Sequence, residues 1–127
     1  QEGSGSITRG EASHAEGDNT QAIGDFSHAE GLFTVASGLY QHVQGQYNLS
    51  SSAQSAFIVG NGTADGARSN LIFASGSQVQ ITGSVIATAG FTGSLQGTAT
   101  LVTVGQSSSA AIVDATGLSK FSLVWVR

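Results

Sequence analysis

The first third of the chain alternates small positions with variable ones and carries a glycine at every seventh residue. Small or apolar residues recur two and four positions before the glycine, as in Thr20 with Ala22 and Ser27 with Ala29. This period of two places every second side chain on one face of a β-strand. Each heptad therefore predicts a strand of about five residues followed by a tight corner, where glycine tolerates positive φ and close backbone approach. The glycines are Gly3, Gly10, Gly17, Gly24, Gly31, Gly38 and Gly45.

The seven-residue spacing does not predict a coiled coil. Coiled coils need apolar residues at two heptad positions on good helix formers. A glycine in every heptad would cost a helix about 1 kcal/mol each time. We expect no helix anywhere in the chain.

A longer period of 14 residues is superimposed on the heptads. Histidine recurs at His14, His28 and His42, and Glu16 and Glu30 alternate with other residues in the same way. Two unlike strands per coil explain this pattern, with successive coils stacked at the strand spacing of about 4.8 Å. Stacking then forms two further columns of like residues, Ala12 with Phe26 and Tyr40, and Asn19 with Phe33 and Tyr47.

The remainder of the chain divides into two further segments. Residues 1–48 form the heptad-repeat roll, 49–77 a linker and hairpin connector, and 78–127 a C-terminal β-rich segment. Apolar runs at 56–59 and 71–74 flank Asn61-Gly62 and Asp65-Gly66, and Asn-Gly between apolar runs predicts a β-hairpin. Residues 78–104 alternate and are rich in β-branched side chains, and residues 122–127 are predicted to form a strand.

Composition adds a reason for self-association. The chain has 18 glycines and no cysteine, proline or methionine. It therefore has little large apolar area to bury, and no disulfide framework replaces it. A β-stack shared between copies of the chain is the expected source of stability.

Charge and hydropathy exclude two kinds of partner. The net charge is −4, and the four basic residues, Arg9, Arg68, Lys120 and Arg127, are scattered. Such a chain has no basic cluster for nucleic-acid phosphates. No apolar run reaches the about 20 residues that span a bilayer, so we expect no membrane insertion.

The heptads resemble two families of surface fibres. The SxAxG and TxAxG motifs over residues 6–48 resemble the head repeats of trimeric autotransporter adhesins, a left-handed parallel β-roll that exists only as a trimer. The SHAEG form at 13–17 and 27–31 is more similar to repeats of bacteriophage tail fibres. The resemblance implies an all-β fold: a homotrimeric parallel β-roll or β-helix with 14-residue coils, followed by a short hairpin and strand-rich fibre segments.

The same resemblance implies a structural role in a virion. The chain would be a rigid spacer or connector of a trimeric viral tail fibre and would contribute to host-surface attachment. Its partners would be two copies of itself, other virion or fibre proteins, and a host-surface glycan or protein receptor. The alternative is a bacterial trimeric adhesin head on the cell surface. A polysaccharide-degrading tailspike module is less favoured.

The histidine column is the main candidate for chemistry. His14, His28 and His42 could ligate a metal on a trimer axis, since imidazole suits Zn, Ni or Fe. The favoured alternative is a hydrogen-bonded ladder between coils or chains, in which histidine offsets the stacked glutamates Glu16 and Glu30. Such a ladder would make stability respond to pH where histidine titrates, near pH 6.5. A structural role is assigned to the glycines Gly10, Gly17, Gly24, Gly31, Gly38 and Gly45.

Catalysis has no support in the motifs. Nothing matches a nucleophile motif, and no spacing pairs Asp65 or Asp114 with another carboxylate for glycoside cleavage. We expect no enzymatic activity, no catalytic residue and no cofactor. Tyr40, Tyr47 or Trp125 could stack on a sugar ring, although packing is the favoured role of these aromatic residues.

Overall fold

A computed structural model describes residues 2–90, 92 and 93, and every regular element in that part is a β-strand. The chain divides into two compact units, residues 1–86 and 87–127, and all the described strands belong to the first. The strands predicted after residue 93, together with Asp114, Lys120, Trp125 and Arg127, lie outside the described residues. The strands are β1 (Ile7–Thr8), β2 (His14–Asp18), β3 (Gln21–Ala22), β4 (His28–Leu32), β5 (Val35–Ala36), β6 (His42–Gln46), β7 (Phe57–Asn61), β8 (Asn70–Ser75) and β9 (Gln78–Ile81).

The repeats fold into a parallel β-solenoid with 14-residue coils, as predicted. Each complete coil contributes a two-residue strand to a three-stranded sheet, β1-β3-β5, and a five-residue strand to a six-stranded sheet, β2-β4-β6-β7-β8-β9. Pairing is parallel and in register, so His14 lies beside His28 and His28 beside His42. The two unlike strands per coil explain why the sequence repeats after 14 residues and not after seven.

The interior of the solenoid is filled by small side chains. The fully buried hydrophobic residues of the described part form columns that follow the coils: Ala15, Ala29, Val43 and Ile58 in one, Ala22 and Ala36 in another, with Ala56 beside them. Buried polar side chains fill the remaining space and bond between coils, as where the Thr20 hydroxyl donates to the Ser6 hydroxyl at 2.9 Å. The interior side chains become larger toward the C-terminal end of the stack.

The corners are not at the glycines, which differs from the prediction. The residues with left-handed backbone lie two positions after them, at Ala12, Phe26 and Tyr40 on one edge and Asn19, Phe33 and Tyr47 on the other. The corner N–H groups from Asn19 to Tyr47 bond back to the preceding coil, as where Phe33 N–H donates to the Asp18 carbonyl at 2.8 Å. Non-glycine residues normally avoid this conformation, and here these inter-coil hydrogen bonds sustain it.

The glycines serve the other predicted purpose, which is close backbone approach. A Cβ atom on Gly10 would overlap the Gly24 carbonyl oxygen, and one on Gly31 would overlap that of Gly45. Gly31 also has φ +111° and lies inside β4, not at a corner. A stack of coils at strand spacing leaves no room for a side chain at these positions.

The stack continues beyond the last heptad. β7 pairs in parallel with β6, with Val43 beside Ile58 and Gly45 beside Gly60. The offset here is 15 residues, one more than in the earlier coils, so the period no longer reveals it. The sequence still carries the pattern, because Ala56, Ile58 and Gly60 repeat the spacing of Gln41, Val43 and Gly45.

The predicted hairpin follows this last parallel strand. β7 and β8 pair antiparallel, with Phe57 opposite Ala74, and β9 then pairs antiparallel with β8. The connection between β7 and β8 makes its own tight turn, in which Ala67 N–H donates to the Ala64 carbonyl at 2.9 Å. Antiparallel pairing ends the coil geometry, since the chain now returns beside itself without enclosing an interior.

Candidate functional site: the histidine–glutamate face

The long strands of the coils present a face on which histidine and glutamate recur in register. Alternation along β2 turns Ala15 inward and leaves His14 and Glu16 partly exposed on the outer face. β4 repeats this arrangement with His28 and Glu30. The strand pairing therefore sets imidazole on imidazole and carboxylate on carboxylate up the stack.

The three imidazole rings form a continuous column. The rings of His14 and His28 are stacked, with centroids 5.0 Å apart and planes 12° apart. Those of His28 and His42 are 4.7 Å apart, but their planes meet at 68°. Phe57 then closes the column, with its ring 5.6 Å from that of His42. The first pair of histidines thus shares an orientation that the second pair lacks.

Diagonal contacts join the histidine column to the glutamate column. His28 Nε2 lies 3.7 Å from Glu16 Oε1, and His42 Nε2 lies 3.7 Å from Glu30 Oε1. Each imidazole therefore faces the carboxylate of the preceding coil. These distances are too long for hydrogen bonds, so neither contact is a hydrogen bond within the single chain. A pH-dependent stability from this ladder remains a prediction.

Three of these side chains also come close enough to share one ion. One potential ligand atom each from His14, Glu16 and His28 lie within 4.8 Å of one another. His42 belongs to no such group among the described residues. The structure thus brings together two of the three histidines singled out from the sequence, and it adds a glutamate from the same face.

A shallow acidic groove runs beside the histidines. Its floor is the column of glycines with exposed, positive-φ backbone, and its volume is about 570 Å³. Gly17 and Gly31 belong to this floor, whereas Gly10 and Gly24 follow the two-residue strands β1 and β3 and do not line the groove. The lining residues are Glu2, Gly3, Glu16, Gly17, Glu30, Gly31, Gln44 and Gly45.

The tyrosines suggested for sugar stacking are engaged with other rings. Tyr40 stacks on Phe26 at 5.3 Å, and Tyr47 stacks on Phe33 at 4.9 Å. Both pairs lie at left-handed corners and not on strands. Packing along the stack is thus what these side chains do in the described part of the chain.

Three side chains that sequence reasoning missed hold the end of the repeat. Fully buried Asn48 accepts from Val35 N–H at 2.7 Å and donates to the Val35 carbonyl at 3.0 Å. Buried Gln41 donates to the carbonyls of Ser51 and Ala53, at 2.7 Å each. The only available signal was that Asn48 and Gln41 replace the small hydroxyl residues of the earlier coils.

Arg68 is the third of these side chains. Its guanidinium donates to the carbonyls of Phe33, at 2.9 Å, and Asn48, at 3.1 Å. It also lies 5.6 Å from the centre of the Tyr47 ring and pairs with Asp65 at 2.6 Å. Arg68 therefore fastens the β7–β8 connection to one corner of the coils.

Comparisons with protein-family models, curated protein sequences and solved structures found no match to this chain. Among the described residues, no helix is long and apolar enough to cross a membrane.

Proposed function

We propose that this chain is a structural segment of a trimeric viral fibre of the phage tail-fibre kind. It acts as a rigid spacer or connector and contributes to attachment at the host surface. The observation that carries the proposal is the distribution of apolar side chains over the coils. The interior is built from alanine and small polar residues, while most of the large apolar residues lie outside it.

The buried core of one chain is small for a free-standing domain. Its fully buried hydrophobic side chains, over the described residues, are five alanines, one valine and one isoleucine. On the coils, Leu39, Phe26 and Tyr40 are 42%, 49% and 51% exposed. Small domains are marginal on buried area alone. Copies of the same coil stack, packed side by side, would cover this outer apolar surface.

The backbone of the stack suits a spacer. Hydrogen bonds run along the axis from coil to coil, as where His14 N–H donates to the Ser27 carbonyl at 2.9 Å and His28 N–H to the Gln41 carbonyl at 2.8 Å. Glycine contacts between coils leave no gap that could close further. A rod built this way resists both stretching and compression, because each coil is held at strand distance from the next.

The oligomeric state tests the central part of the proposal. Multi-angle light scattering on the untagged protein at micromolar concentration should give three times the 12.8 kDa chain mass. The mass should persist over a tenfold dilution. A monomeric mass would overturn the trimeric fibre.

The assignment to a viral tail fibre is tested by locating the chain on virus particles. Gold-labelled antibodies raised against it should decorate the tail appendages of virus particles from the same source. Labelling of bacterial surfaces without particles would instead support the adhesin alternative.

A further inference from the structure

We infer that His14, Glu16 and His28 form a binding site for a divalent transition-metal ion of the zinc kind, held within a single chain. The site would tie two successive coils together at the N-terminal part of the stack. It differs from a site on a trimer axis, because all its ligands come from one copy, and it does not depend on the proposed fibre function.

The ligand set is one that zinc uses. Two imidazoles and one carboxylate supply three protein ligands and leave a fourth position open for water or another donor. Imidazole also suits nickel and copper, whereas magnesium and calcium prefer all-oxygen sites. The single negative charge of Glu16 partly neutralises the ion.

The separation of Glu16 from His28 fits an ion better than a direct contact. His28 Nε2 and Glu16 Oε1 are 3.7 Å apart, which is too long for a hydrogen bond. Two donors on one tetrahedral zinc ion lie about 3.3 Å apart, given zinc–nitrogen and zinc–oxygen bonds of about 2.0–2.1 Å. A shift of a few tenths of an ångström would therefore bring both atoms into ligand positions.

The hydrogen-bonding capacity of His28 Nε2 is unused within the described residues. The atom is shielded from solvent and makes no hydrogen bond to any described residue. A buried nitrogen without a partner is unfavourable, since it loses its bonds to water and gains none in return. Coordination to a metal ion would satisfy it.

The two pairs of neighbouring histidines differ in the relative orientation of their rings. His14 and His28 have nearly parallel rings, with planes 12° apart. Rotation of the rings about χ2, a broad torsion, would make the two nitrogens converge on one ion. The rings of His28 and His42 meet at 68°, and His42 with Glu30 forms no equivalent group in the described residues.

Zinc titration by calorimetry tests the site, using untagged protein treated first with EDTA. We expect one zinc ion per chain, together with a melting temperature that rises with zinc and falls back when EDTA is added, because an ion that binds only the folded state stabilises it. His14→Gln, Glu16→Gln and His28→Gln should each weaken zinc binding by about 100-fold or more, since loss of a mere outer-shell partner already weakens metal sites by about 10- to 100-fold.

The equivalent residues of the next coil, Glu30 and His42, supply matched controls. Glu30→Gln and His42→Gln change the same residue types one coil further on and should leave zinc affinity within about threefold, because neither side chain is a ligand or hydrogen-bonds to one of the three ligands in the described structure. Circular dichroism on each variant confirms that it is folded. Binding that survives His28→Gln, a stoichiometry of one zinc per three chains, or no binding by the unaltered protein would each overturn the site.

Discussion

The repeating coils and the region that ends them differ in how the backbone N–H and carbonyl groups of their strands are hydrogen-bonded. In the coils, each strand is bonded by the next copy of itself, as where Gln21 N–H donates to the Thr34 carbonyl at 2.8 Å. At the end, β5 has no next strand, and the Asn48 side-chain amide takes that place by bonding both N–H and carbonyl of Val35. The strand backbone within the repeat is thus bonded by the backbone of the neighbouring coil, whereas termination of the repeat requires particular side chains.

Tolerance to substitution should differ accordingly between the two regions. In the coils, glycine is required because a Cβ would overlap the backbone of the next coil. In the terminating region, the chemistry of single side chains matters, because each of Asn48, Gln41 and Arg68 bonds carbonyl or N–H groups that no strand reaches. Four substitutions separate these two kinds of dependence.

The largest effect is expected from Gly31→Ala in the coils. The new Cβ would overlap the Gly45 carbonyl oxygen, and φ there is +111°. The free energy of unfolding should fall by about 3 kcal/mol or more, since strain and steric overlap add. Urea unfolding followed by circular dichroism, at one fixed protein concentration, measures it. Gly66→Ala is the control, because no atom lies within 4 Å of its Cβ position; equal losses from the two variants would refute the close-approach explanation.

The next largest loss in the free energy of unfolding is expected from Asn48→Ala. It leaves the N–H and carbonyl groups of Val35 buried without their partners, and each such loss costs about 1–3 kcal/mol. Asn48→Thr sharpens the test, because threonine occupies the same column at Thr20 and Thr34. A single hydroxyl is too short to replace the amide at both groups, so this variant should also be destabilised. A fully stable Asn48→Thr protein would show that the position needs only a small polar residue.

Arg68→Lys should lower stability by about 1–2 kcal/mol, since Nη1 bonds both carbonyls while Nη2 meets Asp65, and a compact ammonium group cannot hold all three partners in the planar guanidinium geometry. Exposed Arg9→Lys is the matched control and should stay within about 0.5 kcal/mol. Asp65→Asn should have a similarly small effect, because a pair with an exposed carboxylate contributes little. If Asp65→Asn and Arg68→Lys were equally damaging, the ion pair would outweigh the carbonyl bonds, contrary to this account.

The smallest effect is a gain, from Ser55→Tyr. Ser55 is the next left-handed corner after Tyr40, at φ 57°, and its N–H bonds the Leu39 carbonyl. A tyrosine there would extend the stack of Phe26 and Tyr40 by one ring, which should raise stability by about 0.5–1 kcal/mol. Ser55→Asn separates ring stacking from backbone preference, because asparagine tolerates this conformation but has no ring. An equal gain from both variants would assign the effect to the backbone.

Much of the solenoid could be predicted because it repeats. A 14-residue period fixes the register by itself, since placing His14 beside His28 places every other residue beside its copy. The corners could not be located in the same way. Glycine is the usual sign of a left-handed residue, yet Phe33 and Tyr47 adopt that conformation because bonds from the neighbouring coil hold them there.

The histidine–glutamate face likewise combines features that the sequence predicts with features that only the structure shows. Alternation along the strand was enough to place His14 and Glu16 on one face and to align His28 with His14. The diagonal approach of His28 to Glu16 and the differing ring angles of the two histidine pairs depend on side-chain torsions, which no spacing encodes. The grouping of two histidines with one glutamate therefore appeared only in three dimensions.

The sequence by itself determined the all-β fold, the 14-residue coil and the columns of like residues, because periodic patterns dictate which side chains point inward and which copies stack. Tertiary structure alone decided where the chain turns, how the stack continues through β7 with an extra residue, and how Asn48, Gln41 and Arg68 close it. These features rest on contacts between residues 10 to 35 positions apart. The side-chain bonds of Asn48, Gln41 and Arg68 each occur once in the described residues, and a pattern that occurs once leaves no period to read.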